Sequence, residues 1–474
     1  MWMDRGIVFV YIAILVGMGL RGGKHVKSVS DFTASSGKYG TPIIFATLAA
    51  SYIGGGYSSG NAAKAFENGI STTCTLFGFS LAMVLIGKFL VPGVKRFEGL
   101  SSVGGIIGQS YGRGARILTG VFSFLCCAGV VGAQIESIGM VFHVLLGVER
   151  HVGAILGCAI VLVYSTVGGM QSVIAADIVQ FVLLTVGMPL LLFMGLHAAG
   201  GLPVVLQSVP ETHFNPFNGT TPIGFFSMFF TMMFGEALAP PYTQRLLIGR
   251  NARSTARGTV LSGLFSVPFF VITGLIGFVA YALGVTDQAA SAMPNLVEAI
   301  LPIGIRGIVM AAMVSIMLSA ADGFLNGAAI SLVCDTIVPL KPNLSDRTQL
   351  RLLRIINLST GIAALIVAFA VPDVFGILVL AYSFWSPLIF IPLAASFLGI
   401  KSTGRAFRYA LLTGFFCTII WNFLLGKPYG IDGTVIGMLG NLIVFSWQTR
   451  KIKKYQTQEI RVWGQREKSR FGTP

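Results

Sequence analysis

The stretch Ala46–Phe66, ATLAASYIGGGYSSGNAAKAF, decides how this chain is read. It is an apolar, helix-like run with three consecutive glycines, Gly54, Gly55 and Gly56, at its middle. Each glycine inside a helix costs roughly 1 kcal/mol relative to alanine. Within a bilayer the cost rises, because backbone groups freed by a break must be buried in protein or line a wet cavity. A break here frees the carbonyls of Ala50 and Ile53, and such oxygens are suitable ligands for a small, hard cation. The competing explanation is packing, since small residues let membrane helices approach closely.

The surrounding composition shows why a bilayer is the setting. Of the 474 residues, 54% are hydrophobic and 11% charged, and the mean hydropathy is +0.79. Soluble domains carry about 25% charged residues, so the chain reads as a polytopic, all-α integral membrane protein. Runs of roughly 20 apolar residues are long enough to cross the hydrocarbon core. We expect about thirteen, near 6–20, 42–65, 70–91, 115–146, 152–167, 175–198, 222–247, 255–283, 305–333, 352–371, 374–398, 406–425 and 434–447. The first is short, but basic Arg21, Lys24 and Lys27 follow it and no small-residue cleavage site does, so it reads as a retained helix with its N-terminus outside.

Basic loops resist translocation. With the N-terminus outside, 28 of the 33 Lys and Arg fall on the cytoplasmic side, eight of them in the tail from Arg450. The formal charge of +15 therefore reflects topology, and its dispersal over short loops argues against nucleic-acid binding. The expected location is the cytoplasmic membrane, with the C-terminus inside. The six cysteines all lie within expected spans and read as small packing residues. Five scattered histidines show no nucleophile or metal spacing, so an enzyme is not expected. Neither an organic cofactor nor an obligate protein partner is implied.

A second interruption pairs with the first. The span from Pro222 reads FFTMMFGEALAPPYTQRLL, with Gly235, Pro240 and Pro241 breaking it and the carboxylate of Glu236 at the break. If the first short helix is set aside, the breaks fall in core spans one and six. Interruptions at corresponding places in two sets of five point to an inverted repeat with a binding site between the halves.

Several further motifs carry a family resemblance: DFTASSGKYGTP after the first helix, YSTVGGMQSVIAADIVQ at Tyr164–Gln180, QRLLIGRNARSTARG at Gln244–Gly258 and GIVMAAMVSIMLSAADGFLNGAAISLVCD at Gly307–Asp335. With the glycine run, these resemble the sodium:solute symporter family over about 6–447. The run itself is most similar to the choline-transporter branch, although core span three, CCAGVVGAQIES, lacks the tryptophan expected there. The resemblance implies a LeuT-like five-plus-five inverted repeat with one extra N-terminal and two extra C-terminal helices. The expected divisions are 1–41 for the extra helix and its loop, 42–220 and 221–400 for the repeats, 401–449 for the last two helices and 450–474 for the tail.

The resemblance also implies a sodium site between core spans one and eight, at the carbonyls of Ala50, Ile53 and Ile316 and the hydroxyl of Ser319. Ala320 supplies no hydroxyl where many relatives carry a second one, and Asp322 is placed to compensate. Asp177 is expected at the cytoplasmic start of core span five, with a role in ion release; a helix N-terminal carboxylate is the plainer reading. Solute contacts are expected from Tyr57, Phe79, Glu236, Tyr382 and Trp385, residues that ordinary aromatic packing would equally explain. Intramembrane Glu136, Glu236 and Asp322 favour a cation pathway, because each charge near the bilayer centre costs about 2.5–3.5 kcal/mol. The expected function is sodium-coupled import of a small polar organic solute by alternating access. Proton coupling is the nearest alternative, with a channel or sensor further off.

Overall fold

A computed structural model describes residues 2–33, 37–371 and 373–470, with 452–470 described as backbone only. Residues 34–36 of the DFTASSGKYGTP motif and the last four residues of the tail lie outside that description. The described chain is helical, and its one β-type contact is an isolated bridge between Tyr39 and Gly249. Helix is what so apolar a chain must form in lipid, since it satisfies backbone groups within a single segment.

The main helices are α1 (Trp2–Gly23), α2 (Thr41–Tyr52), α3 (Asn61–Asn68), α4 (Ile70–Leu85), α5 (Arg113–Leu146), α6 (Arg150–Ala198), α7 (Pro222–Phe234) and α8 (Pro240–Leu247). They are followed by α9 (Ala252–Ala282), α10 (Ile305–Ile330), α11 (Asp346–Ala370), α12 (Val374–Ser383), α13 (Ile391–Leu398), α14 (Gly404–Ile419) and α15 (Gly433–Arg470). Side-chain caps open some of them: Thr221 accepts from Gly224 N at 3.1 Å and Asn251 from Ser254 N at 2.8 Å, satisfying donors that a helix leaves open.

Among the described residues, nine helical stretches are long and apolar enough to cross a membrane, against thirteen expected runs. The differences have local causes. Both interrupted spans divide into halves too short to meet that test, and α15 carries its apolar run straight into the charged tail. The expected spans at 152–167 and 175–198 adjoin without a loop within α6, where two helices meet at Gly169, whose φ 59° and ψ −171° are not helical. A Cβ there would lie 3.1 Å from the Phe32 backbone, so glycine meets both the conformational and the steric demand.

The centre of the bundle is α10, whose best membrane-length window is 94% buried, against 22% for α1. It packs on α5, α6 and α1, while residues such as Phe193, Val186, Ile362 and Ile366 turn outward as an apolar surface suited to lipid. Of the interrupted halves, α2 and α8 contact α10, while α7 turns Ile223, Phe226 and Phe230 to the outer apolar surface.

Candidate functional site

The first break is narrower than the glycine run. Ile53 N bonds Ala49 O at 3.2 Å, and the backbone ladder resumes with Ser58 N on Gly54 O at 3.0 Å. Among the described residues no backbone donor reaches the carbonyls of Ala50 or Ile53. Gly55 already has helical dihedrals and Gly56 opens a wide π-type turn to Gly60, so these two serve close approach more than the break itself. A Cβ on Gly54 would lie 2.6 Å from Gln134 Oε1 and 2.9 Å from Ala320 Cβ, and one on Gly55 would lie 2.1 Å from Ser137 Oγ. Gln134 Oε1 also accepts the Gly55 N–H at 2.7 Å. The break is thus buried against α5 and α10, and packing and breaking act together.

The second break runs through 235–239, with Leu238 at φ 56°. Pro240 and Pro241 do not lie in it. They open α8, where a missing N–H leaves no bond unmade. Gly235 sits against Tyr382, and a Cβ there would lie 2.5 Å from the tyrosine ring.

Between the two breaks the five expected solute contacts come together. Glu236 Oε2 accepts from Tyr57 OH at 2.9 Å and from Tyr382 OH at 3.0 Å, with the two phenols 3.1 Å apart. Trp385 Nε1 donates to Ala237 O at 2.9 Å, so the indole is fixed on the second break itself. Phe79 packs on Tyr57 with centroids 5.3 Å apart and on Tyr52 at 4.8 Å. All five side chains are buried, and Glu236 makes no ion pair among the described residues. Tyr242 on α8 adds a further ring, 6.4 Å from Phe79.

A second cluster lies beside the middle of α2. Asp177 is not at a helix start: it is fully buried within α6, eight residues beyond the kink at Gly169. Its Oδ1 accepts from Ser319 Oγ at 2.8 Å, and its Oδ2 pairs with Arg245 Nη2 at 2.9 Å and accepts from Thr47 Oγ1. Arg245, which the charge count placed on the cytoplasmic side of a span, is itself fully buried, with Nε on Thr47 Oγ1 at 2.9 Å. Asp322 takes a hydrogen bond from Tyr164 OH at 2.8 Å, and its Oδ1 has no partner among the described residues. Ala50, Ile53, Ile316 and Ser319 are buried where α2 meets α10.

Glu136 stands apart from both clusters. Although no basic residue is near it in sequence, Arg150 at the start of α6 pairs with it in space. Sequence reasoning passed over Thr47, Gln134, Tyr164 and Arg245. All four stood inside quoted stretches, yet nothing local marks any of them as a partner for a distant helix.

Comparison with known proteins fits this geometry. The description of the sodium:solute symporter family matches residues 32–401. The chain belongs to that family. It is 24% identical to the human high affinity choline transporter 1 over 407 residues, covering 81% of this chain and 68% of the human protein. It is 22% identical to the sodium/glucose cotransporter of Vibrio parahaemolyticus over 428 residues, covering 79% and 75%. Among solved structures, a Na+-coupled sialic acid symporter in a substrate-bound outward-open state superposes with TM-score 0.83 at 15% identity, covering 94% of this chain and 98% of that one. A nucleobase-cation-symport-1 family transporter superposes at 0.60 and 14% identity, covering 88% and 94%. The family member described here is therefore a multi-pass membrane transporter with a LeuT-like fold, coupled to sodium, and not an enzyme.

Proposed function

We propose that this symporter imports a small polar organic solute across the cytoplasmic membrane by alternating access, with its N-terminus outside and its C-terminus inside. The observation that carries the reading is the joining of Tyr57, Glu236 and Tyr382, which ties the first break, the second break and the tenth core span into one buried centre. The proposed architecture is thirteen membrane-crossing segments, with repeats at 42–220 and 221–400, since each repeat would then contribute one interrupted span.

Sodium is assigned to the carbonyls of Ala50, Ile53 and Ile316 and the hydroxyl of Ser319. A hydroxyl that donates to Asp177 still presents its lone pairs to a cation. The charge balance of the buried core supports a cation there: Asp177 and Asp322 bring two carboxylates and Arg245 one guanidinium, so one positive charge is wanting. We place Asp322 beside the ion, where its carboxylate makes up for the hydroxyl that Ala320 lacks, and assign Asp177 to ion release. The solute lies against Tyr57, Phe79, Glu236, Tyr382 and Trp385. Because Glu236 is buried without a basic partner, a solute presenting a positively charged group matches it best. Aromatic faces around such a group add cation–π attraction. The resemblance to choline transporters makes a quaternary amine one candidate within that class.

Uptake into proteoliposomes decides the coupling ion. An inward sodium gradient at equal pH is expected to drive accumulation. Accumulation in sodium-free buffer under an imposed pH gradient would transfer the assignment to protons, leaving Asp322 and Glu236 as the carriers.

A further inference from the structure

Where α4 gives way to a wide π-type turn at 86–90, a groove of about 200 Å³ opens on the side of the bundle. That turn and the end of α4 form one side, through Leu85 and Phe89. Opposite stand Phe390, the last residue of a second π-type turn at 386–390, and Ala394 on α13. The third side is Met233 and Phe234 at the end of α7, with the Phe234 ring 5.2 Å from that of Phe390. All nine lining residues are apolar. Phe89 is 55% exposed, and Leu81 and Phe230 on the flanking helices also turn outward, so the groove belongs to the apolar surface that faces lipid.

Two basic side chains mark one end of it. Lys88 is exposed, and its Nζ stands 5.4 Å from the centroid of the Phe89 ring, which itself lines the groove. Arg96, in the 3-10 turn at 91–97, donates from Nη1 to Phe397 O at 2.6 Å, one helical turn beyond Ala394. Neither has a carboxylate partner among the described residues. The stretch 88–98 carries Lys88, Lys95 and Arg96 against the single acid Glu98, so this end of the groove is positive. In the proposed orientation α4 runs inward, which puts the positive end at the cytoplasmic face.

We propose that this groove seats an acyl chain of an anionic phospholipid from the cytoplasmic leaflet, with Lys88 and Arg96 taking its phosphate. The proposal rests on the orientation given above. The groove by itself selects nothing, because lipid tails are as apolar as its walls. Selection comes from the headgroup, since basic side chains beside the membrane attract anionic lipids. The Arg96 guanidinium spends one donor on Phe397 O and keeps others for phosphate oxygens, and the Lys88 ammonium adds three more. A second copy of this chain, paired two-fold on this face, would instead bring the same two cations together. The seated chain lies against Met233 and Phe234, immediately before Gly235, so lipid reaches the backbone of the second break.

The test uses the full chain in phosphatidylcholine bilayers doped with phosphatidylglycerol or phosphatidylcholine that bears a photoreactive diazirine in its acyl chain, at equal mole fraction. Labelled peptides are identified by mass spectrometry, which keeps the groove apart from the basic tail beyond Arg450. The reference is the outward face of α11 at Ile355 and Leu358, which also follows basic residues, Arg351 and Arg354. Relative to that reference, phosphatidylglycerol is expected to label the groove peptides about fivefold or more above phosphatidylcholine. Lys88→Gln and Arg96→Gln should each reduce this excess severalfold and leave the phosphatidylcholine signal in place. Ala394→Trp, or Ala394→Leu where tryptophan prevents insertion, should remove both labels from the groove, and unchanged labelling of α11 shows that the variant is folded. Equal labelling by the two lipids, or an excess that survives Lys88→Gln with Arg96→Gln, overturns the site. Labelling by neither lipid also overturns it, and is the result a second copy covering this face would give. The readout needs neither sodium nor solute, so failure of the transport reading leaves it standing. Lys88→Cys reacting with an impermeant thiol reagent from the outer side alone would overturn the orientation, and with it the leaflet.

Discussion

Replacing Ser319 by alanine separates the sodium assignment from ordinary packing. The hydroxyl is fully buried and donates to Asp177 Oδ1 at 2.8 Å, so no bulk water takes its place when it is removed. An interaction between a hydroxyl and a charged group contributes about 1.5–3 kcal/mol, which corresponds to a rise of roughly tenfold to 150-fold in half-saturating sodium. Asp177 keeps Arg245 and Thr47 on its other oxygen, so the fold should lose no more than the ~1–3 kcal/mol of one unmade buried hydrogen bond. The assay is initial-rate uptake in proteoliposomes across a sodium series at fixed membrane potential, with Ser319→Thr as the control that keeps the hydroxyl. An unchanged sodium half-saturation in Ser319→Ala, with normal insertion and thermal stability, would refute the placement of the ion.

Three further outcomes follow from the same geometry. Glu236→Gln keeps the shape and an acceptor for Tyr57 and Tyr382 but removes the charge, so the solute half-saturation should rise by about tenfold or more while sodium activation changes little, as read from paired titrations. Gly235→Ala drives a methyl to within 2.5 Å of the Tyr382 ring and of Thr231 O; overpacking of this kind costs ~1–3 kcal/mol, and solute uptake should fall far more than membrane abundance on a blot. Asp177→Asn leaves Arg245 buried without its partner, a loss of about 3–5 kcal/mol that should lower the thermal midpoint; Asp177→Asn with Arg245→Met should recover much of the stability without restoring sodium activation.

What the sequence disclosed follows from which forces act locally. Bilayer burial acts on every residue of a span, so composition and run length identify the membrane class and the apolar runs directly. The breaks were legible because glycine and proline alter backbone freedom at their own positions. Their exact limits were not: Gly55 is helical because Gln134 and Ser137 hold it from α5, and Pro240 and Pro241 begin a helix because α8 restarts there. The spans at 152–167 and 175–198 are two helices that meet without a loop, because a single positive-φ residue, Gly169, ends one and starts the next.

The site shows the same division. Tyr57, Phe79, Glu236, Tyr382 and Trp385 could be named because the family resemblance implied a cavity between core spans one, two, six and ten, and the structure does gather them. The partners of Asp177 could not be named, since Thr47, Arg245 and Ser319 lie 130, 68 and 142 residues away and only tertiary packing brings them in. That packing gives α2 a double role. Thr47 faces the Asp177 cluster, while Tyr52 and, past the break, Tyr57 face Phe79. The proposed ion and solute centres therefore share one short helix and one unwound turn, so a shift of α2 that improves one set of contacts must alter the other. A coupling free energy requires such a shared element, and by linkage it must be felt equally from either side.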